Sequence, residues 1–296
     1  MSQFLIFGNG FTITSTHAIP TKKVLFDESH FPSAAINASN PCVNYNGYEF
    51  FEEMLVNNDY EYDTLDVGQN ITQANLDGYN ILVISGSQIN YTYEECIQIS
   101  NWIEDGGSLL LITDWNSFGT GTYDLLSWFG FGIPAVDGIR ESDDLAGNYL
   151  QIYLDDANIL NHTITEGVSR VEVYATTGLI ETNADSTNIL VTDNDDTATW
   201  DSSSESANNI PLMCALEGNS LENGKLVIMT DFNLWLNTDS DLDGTVNFYD
   251  SDNEILALNT INWLNVPYTK TTPIQAIYPI AFLTFGIVLV LRKKKN

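Results

Sequence analysis

The stretch from Tyr79 to Asn116, YNILVISGSQINYTYEECIQISNWIEDGGSLLLITDWN, decides the fold of this chain. Two continuous apolar runs, Ile81–Ile84 and Leu109–Ile112, flank a segment whose apolar residues recur at helical spacing. Within that segment, Thr92 and Glu95 have the spacing of a capping box, which marks a helix start. A helix between two fully apolar strands is typical of a parallel sheet covered on both faces. The stretch therefore predicts an α/β fold.

The rest of the chain predicts further strands and helices of the same domain. Short β-like runs follow Gly147, and clusters of Asp, Asn and Ser separate them, as is usual for turns. We predict a mostly parallel central sheet flanked by helices, flavodoxin-like, with a β-rich second half, all in one domain at residues 23–265. The outer elements expected are a first strand at Lys23–Asp27, a helix at Tyr48–Val56, a strand at Tyr60–Leu65, a strand at Lys225–Thr230 and a final helix at Asn253–Asn265.

Charge is distributed very unevenly along the chain. The segment from Val24 to Tyr268 holds all 40 acidic residues but only three of the ten basic ones, so its formal net charge is −37. Such a surface repels phosphate backbones, which argues against nucleic acid as a partner. High net charge favours solubility, and the same acidity attracts divalent cations or basic partners. Composition alone leaves these two explanations open.

The C-terminus predicts attachment to a cell membrane. Thr272–Leu291 is 20 residues without a charge, long enough to span a bilayer, and four basic residues follow at once. The positive-inside rule then places the tail in the cytoplasm and the acidic domain outside. We predict a linker at 266–273, a transmembrane helix at 274–291 and a cytoplasmic tail at 292–296. At the other end, residues 1–22 are interpreted as a degenerate or truncated signal segment.

The segment Asp239–Asp250, DSDLDGTVNFYD, predicts a calcium loop. Such loops place oxygen ligands at positions 1, 3, 5, 7, 9 and 12, with glycine at position 6 for the tight turn. Gly244 holds position 6, and the apolar Val246 follows at position 8. The alternative is a solvated acidic turn. The predicted structural calcium ligands are Asp239, Asp241, Asp243, the Thr245 carbonyl, Asn247 and Asp250.

Polar residues also follow several predicted strands. The carboxyl ends of parallel strands lie at one edge of a sheet, where ligands of such folds bind. Carboxylates together with a histidine can hold a metal or perform acid–base chemistry, although Asp and Asn at strand ends also cap helices and build turns. The catalytic candidates are Asp27, His30, Asp114 and Asp231; the wider set adds Glu28, Ser87, Asn116 and Asn233.

Several common chemistries have no motif in this sequence. The three cysteines, Cys42, Cys96 and Cys214, form no CxxC pair, which argues against zinc and dithiol sites. Cys96 and Cys214 fall inside a predicted helix and strand, so we expect them to be buried hydrophobic residues. The sequence also has no glycine-rich phosphate loop and no G-x-S-x-G elbow.

A series of weak motifs resembles a known family when taken in order: VLFDESH, GYEFFEEML, LDGYNILVISG, EECIQISNWIEDGGSLLLITD, NHTITEGV, GKLVIMTDFN and ALNTINWL. The order is similar to uncharacterised domains with the class I glutamine amidotransferase-like fold, related to those of gliding-motility and intraflagellar transport proteins. The resemblance implies a flavodoxin-like sandwich, often without catalytic activity and used for binding or assembly. Active amidotransferases carry a cysteine after the strand that corresponds to Leu109–Ile112. Thr113-Asp114-Trp115 stands there in this chain, and no late His-x-Glu pair occurs.

These observations give three hypotheses for function. The first is a membrane-anchored extracytoplasmic binding or assembly module, non-catalytic, with one structural calcium and a protein or glycan partner. The second is an extracytoplasmic hydrolase of glycans or amides that uses the strand-end Asp and His residues. The third is a surface-layer or adhesion component in which calcium and acidity serve the cell envelope.

Overall fold

A computed structural model describes residues 22–36, 47–114, 118–134, 137–141, 151–180, 183–192, 198–203, 205–218 and 221–268. The strands in this part of the chain are β1 (Lys23–Asp27), β2 (Glu61–Leu65), β3 (Ile81–Ser85), β4 (Ser108–Ile112), β5 (Ile139–Glu141), β6 (Gln151–Leu154), β7 (Val171–Tyr174), β8 (Thr187–Val191), β9 (Ala198–Trp200), β10 (Pro211–Glu217) and β11 (Lys225–Met229). The α-helices are α1 (Glu49–Asn57), α2 (Gln73–Leu76), α3 (Tyr93–Glu104), α4 (Tyr123–Trp128) and α5 (Asn253–Asn265).

The central sheet has seven strands in the order β2-β1-β3-β4-β11-β10-β8. The first five of these strands are parallel to one another. β10 is antiparallel to β11, and β8 is antiparallel to β10. Two small antiparallel pairs, β5 with β9 and β6 with β7, lie outside this sheet. The predicted mixed α/β fold with a mostly parallel sheet is confirmed, and the β-rich second half supplies its antiparallel strands.

The sheet is buried on both faces because alternate residues of its strands enter two separate hydrophobic clusters. β3, β4 and β11 are buried along their whole length, as continuous apolar runs predict. One cluster packs this sheet against α1 and α5, and Phe248 belongs to it. The other cluster packs the opposite face against α2, α3 and α4. Any site on α3 or α4 is therefore separated by the sheet from the segment around Phe248.

The capping box predicted for α3 is confirmed. The hydroxyl of Thr92 accepts from the Glu95 amide at 3.3 Å, and the Glu95 carboxylate accepts from the Thr92 amide at 3.0 Å. At the other end of α3 the chain turns tightly into β4. A Cβ built on Gly107 would lie 2.3 Å from the ring of Trp102, so only glycine fits beneath this indole.

Part of the predictions lies outside the described residues. These predictions concern the signal segment up to residue 21, Cys42, Trp115, Asn116, the membrane span Thr272–Leu291 and the tail at 292–296. Among the helices that the structure does describe, none combines the length and the apolar character needed to cross a bilayer.

Candidate functional sites at the strand ends and in the acidic loop

The four catalytic candidates all lie at the carboxyl edge of the parallel strands, as the sequence predicts. Asp27 ends β1, and His30 follows it by three residues. Asp114 and Asp231 follow β4 and β11, which are neighbours in register. All four are buried, with exposed fractions of 2 % for Asp27, 6 % for His30, 0 % for Asp114 and 1 % for Asp231. The structure places them in two groups along this edge.

The first group is centred on the contact between Asp27 and His30. The Nδ1 atom of His30 lies 2.9 Å from Oδ2 of Asp27, and the hydroxyl of Tyr91 donates to the same oxygen at 2.5 Å. The rings of His30 and Tyr91 stack with their centroids 4.0 Å apart. The hydroxyls of Tyr91 and Ser87 are 2.8 Å apart. Ser29 adds a third hydroxyl, which donates to Oδ1 of Asp27 at 2.5 Å.

Glu95 completes this group from α3. Its Oε1 atom lies 3.3 Å from Nε2 of His30, so both ring nitrogens of the histidine face carboxylates. Burial alone would lower the pKa of His30, but the hydrogen bonds and charges of Asp27 and Glu95 outweigh it, and the pKa is raised. Burial likewise opposes ionisation of Glu95, yet amide donors at Thr92 and Ile71 leave its pKa lowered. The arrangement favours an imidazolium held between two carboxylates.

The second group brings Asp114 and Asp231 together. Oδ2 of Asp231 accepts from the Tyr174 amide at 2.8 Å, and Oδ1 accepts from the Asn233 amide at 2.7 Å. Burial nevertheless raises the pKa of Asp231 to about 7, because these amides offset only part of the cost of removing its charge from water. Oδ2 of Asp114 accepts a long bond of 3.4 Å from the Phe232 amide.

Tyr48 lies at the same edge and was not among the predicted site residues. Its hydroxyl lies 2.7 Å from Oγ of Ser85 and donates to the Phe232 carbonyl at 3.0 Å. Burial raises the pKa of Tyr48 well above its usual value, and the charges of Asp231 and Asp114 add to the effect. The tyrosine therefore stays neutral and ties the start of α1 to the ends of β3 and β11.

The acidic loop turns where the calcium-loop pattern requires it. Gly244 has a φ of +101°, a conformation that favours glycine. The carboxylates of the loop accept from its own backbone: Asp239 from the Asp243 and Gly244 amides, at 3.1 and 3.0 Å, and Asp243 from the Thr245 amide at 2.7 Å. These bonds curl the loop so that successive carboxylates face one centre.

Two overlapping groups of carboxylates result. Asp239, Asp241 and Asp243 each place an oxygen within 4.8 Å of the others, and so do Glu172, Asp241 and Asp250. Asp241 belongs to both groups. Glu172 comes from β7 and is 9 % exposed, and the sequence pattern of the loop gives no sign of it. Oxygen-rich clusters of this kind suit a hard divalent cation.

The crowding of these carboxylates contributes to raised pKa values at Asp250 and Glu172. Burial raises the pKa of Asp250 to about 6, and the charges of Asp243, Asp241 and Asp239 contribute. Burial raises the pKa of Glu172 to about 7, with Asp250 as the next cause. The amide of Gln151 donates to Glu172 at 2.6 Å and to Asp241 at 3.0 Å, and so bridges the two sides of the cluster. A bound cation would relieve the same repulsion more strongly.

Two asparagines hold the loop against the domain. The side-chain Oδ1 of Asn247 accepts from the Ser240 amide at 2.9 Å, and its Nδ2 donates to the Asn233 backbone carbonyl at 2.9 Å. Asn253 bonds both the amide and the carbonyl of Glu172, at 3.1 and 3.0 Å. Asn247, a predicted ligand, thus has its side chain engaged by the loop and by the segment after β11. Its role as a calcium ligand stays a prediction.

The two described cysteines have thiols of low reactivity. Both Cys96 in α3 and Cys214 in β10 are buried and unpaired with one another. Burial raises the pKa of Cys96 to about 11 and that of Cys214 to about 12. Since the thiolate is the reactive form, both behave as buried hydrophobic residues, as predicted.

The family to which the chain belongs follows from a match over most of its length. Residues 45–249, from the start of α1 into the acidic loop, match the family described as "Domain of unknown function (DUF4350)". The chain belongs to the DUF4350 family. Asp27 and His30 precede the matched residues, whereas Asp114, Asp231 and most of the acidic loop lie within them. No curated protein is detectably similar to this DUF4350 chain in sequence.

Solved structures show relatives of the fold. The mmIFT52 N-terminal domain matches with a TM-score of 0.63 and 14 % identity, over 82 % of this chain and 97 % of that one. Cytoplasmic Protein STM1381 from Salmonella typhimurium LT2 matches with a TM-score of 0.52 and 14 % identity, over 82 % and 99 %. A ThuA-like protein from Bacteroides uniformis matches with a TM-score of 0.49 and 12 % identity, over 86 % and 95 %.

At such low identity these matches speak to the fold of the DUF4350 chain alone. The predicted likeness to domains of intraflagellar transport proteins is therefore confirmed at the level of fold. The predicted relation to class I glutamine amidotransferases and to gliding-motility proteins remains a prediction.

Proposed function

We propose that this DUF4350 domain is a binding or assembly module, non-catalytic, that carries one structural calcium ion. The observation that carries the proposal is that the strand-end residues are buried and already bonded to other groups of the protein. His30 faces a carboxylate at each ring nitrogen, and Asp231 accepts two backbone amides, with both residues at most 6 % exposed. Side chains so engaged serve to join the ends of the strands. An amidotransferase-like fold used for assembly, with a protein or glycan partner, is consistent with this arrangement.

Calcium is supported by the geometry of the acidic loop. Three loop carboxylates and Glu172 gather around Asp241, and the raised pKa values of Asp250 and Glu172 indicate that their charges are poorly compensated by the protein. The loop lies between β11 and α5, and its Phe248 is fully buried in the core. Calcium bound there would neutralise the crowded carboxylates and fix the entry to α5.

Calorimetric titration of the full chain with CaCl2 after EDTA treatment tests the calcium part of the proposal. We expect one site per chain and a melting temperature that rises with calcium concentration, since a ligand that binds only the folded state stabilises it by mass action. Magnesium is the control, because it demands a tighter octahedral geometry. Absence of binding heat together with an unchanged melting temperature would remove calcium from the proposal.

We further propose that Thr272–Leu291 anchors the domain to the cell membrane, with the acidic domain outside. The support is the uncharged span of 20 residues and the four basic residues that follow it at once. Protease treatment of intact cells is the test. Digestion of the domain is expected; full protection, with digestion only after lysis, would reverse the orientation.

The competing proposal is an extracytoplasmic hydrolase that uses Asp27, His30, Asp114 and Asp231. The observation in its favour is the pKa of Asp231, about 7, which suits a general acid or base near neutral pH. Its test is hydrolysis of glycan and amide substrate libraries by the full chain and by Asp231→Asn. Turnover that this variant loses, while it keeps its fold, would replace the binding module with an enzyme.

A further inference from the structure

Two aromatic side chains stand exposed on the face of the sheet opposite the acidic loop. Tyr93, the first residue of α3, is 69 % exposed, and Trp128, the last residue of α4, is 39 % exposed. Their ring centroids lie 5.4 Å apart at an interplanar angle of 70°. Large aromatic rings normally contribute stability by burial, so a fixed, exposed pair is a feature of binding surfaces.

Trp128 is also part of the wall of a cavity of about 230 Å³. Ligand pockets usually measure roughly 300–1,000 Å³, so this one fits a ligand of about one sugar ring. Its lining combines apolar side chains with polar groups, and polar atoms form the larger share of its surface. Its lining residues are Ser100, Trp128, Phe129, Gly130, Asn183, Leu216 and Leu221.

The polar wall is held in place by the protein. Nδ2 of Asn183 donates to the Phe129 carbonyl at 3.2 Å, and its Oδ1 accepts from the Asp185 amide at 3.0 Å. An amide nitrogen has two N–H groups, so one of them stays available to a ligand oxygen. Ser100 on α3 adds a hydroxyl that can donate or accept.

We propose that the cavity and the Tyr93–Trp128 pair together bind a neutral saccharide. A pyranose has an apolar C–H face that packs on the electron-rich face of an aromatic ring, and hydroxyls that bond to Ser and Asn side chains. The net charge of −37 between Val24 and Tyr268 disfavours sulfated, phosphorylated and uronic-acid glycans.

This inference rests on the proposed binding function and gives it a ligand class. The two can still fail separately, because α3 and α4 pack on one face of the sheet and Phe248 of the acidic loop packs on the other. Sugar binding that persists in EDTA would support the saccharide site whatever the outcome for calcium.

Saturation-transfer NMR on the full chain is the test. The probes are the methyl glycosides of glucose, mannose and galactose, together with N-acetylglucosamine, each at about 10 mM, a concentration that detects millimolar dissociation constants. We expect a saturation-transfer signal from at least one probe. Trp128→Ala and Tyr93→Ala should each weaken its binding about tenfold, with the fold checked by circular dichroism. Tyr93, as the more exposed residue, keeps the test valid if Trp128→Ala does not fold.

Ile255→Ala is the matched control, since Ile255 is an exposed apolar residue of α5 on the other face and should bind the probe like the parent chain. The proposal would be overturned if none of the four probes gave a saturation-transfer signal, or if both aromatic variants bound the probe as tightly as the parent chain. A concentration-dependent dimer that Trp128→Ala dissociates would assign the aromatic pair to contact with a second copy of the chain, and would likewise overturn it.

Discussion

Replacement of Asp250 by asparagine should have opposite effects on stability without and with calcium. Asp250 is buried, and its pKa is raised from 3.8 to about 6. A carboxyl whose folded pKa lies above its unfolded value favours the folded state only while protonated. Its ionisation therefore lowers stability as the pH rises from about 4 through 6. Above that range the penalty amounts to about 3 kcal/mol.

In EDTA at pH 8, Asp250→Asn should therefore be more stable than the parent chain by up to about 3 kcal/mol. For a domain of this size that corresponds to a melting temperature higher by roughly 6–12 °C. At pH 4 the two chains should melt together, because the parent carboxyl is then largely protonated. With calcium present the order reverses, since the parent gains the binding free energy and the variant lacks a ligand. Differential scanning calorimetry at both pH values, with calcium and with EDTA, measures all four states.

Asp252→Asn is the matched control, two residues further along the chain. Burial disfavours ionisation of Asp252, but donors at Ser169 and Arg170 outweigh it and leave its pKa lowered. This variant should lose stability above pH 4 and keep the calcium response of the parent. The reasoning is refuted if Asp250→Asn melts below the parent in EDTA at pH 8, or if calcium still stabilises it fully.

Three further substitutions test the rest of the structure. His30→Gln should lower the free energy of unfolding by about 1.5–3 kcal/mol at pH 5.5, as measured by urea unfolding, and by less at pH 9. Because the pKa of His30 is raised, its charged ring stabilises the folded state below the unfolded-state pKa of 6.5, and this stabilisation is lost as the pH rises through the folded-state pKa. An equal loss at both pH values would contradict the charged imidazole. Tyr48→Phe should cost about 1–2 kcal/mol in the same assay and leave calcium affinity unchanged, since its hydroxyl bonds only at the strand-end edge; an altered affinity would contradict this. Gly107→Ala should lower stability by about 1–3 kcal/mol in thermal melts, because its Cβ would collide with the ring of Trp102; an unchanged melting temperature would contradict this collision.

The parallel part of the fold could be predicted because its signals are local. The apolar run Leu109–Ile112, the capping box at Thr92 and the spacing of the α5 residues each depend on a few neighbouring positions. The pairing of β10 and β8 could not, because antiparallel partners leave no signature in runs this short. A register irregularity between Pro211 and Met213 alters the pairing further.

The candidate sites were predictable to the extent that one segment contains them. The spacing of Asp239–Asp250 revealed the loop, but Glu172 lies in VEVY, a strand segment with no feature of a ligand. Its contact with Asp241 joins residues far apart in the chain, which periodicity does not encode. The same holds for Tyr48, whose hydroxyl reaches Phe232 across the sheet edge. The engagement of Asn247 by Ser240 is a property of the folded loop.

The membership of Asp241 in both carboxylate groups has a consequence for the chain as a polymer. An ion held by Asp241 and Glu172 together would close a loop of about 70 residues, which contains β8, β9, β10 and β11. In chain-entropy terms a closure of this length is comparable to a disulfide worth about 4 kcal/mol, with the difference that it opens when the ion leaves. The bound ion would then act as a reversible cross-link, and the unfolding rate of the second half of the domain would depend on the calcium concentration around it.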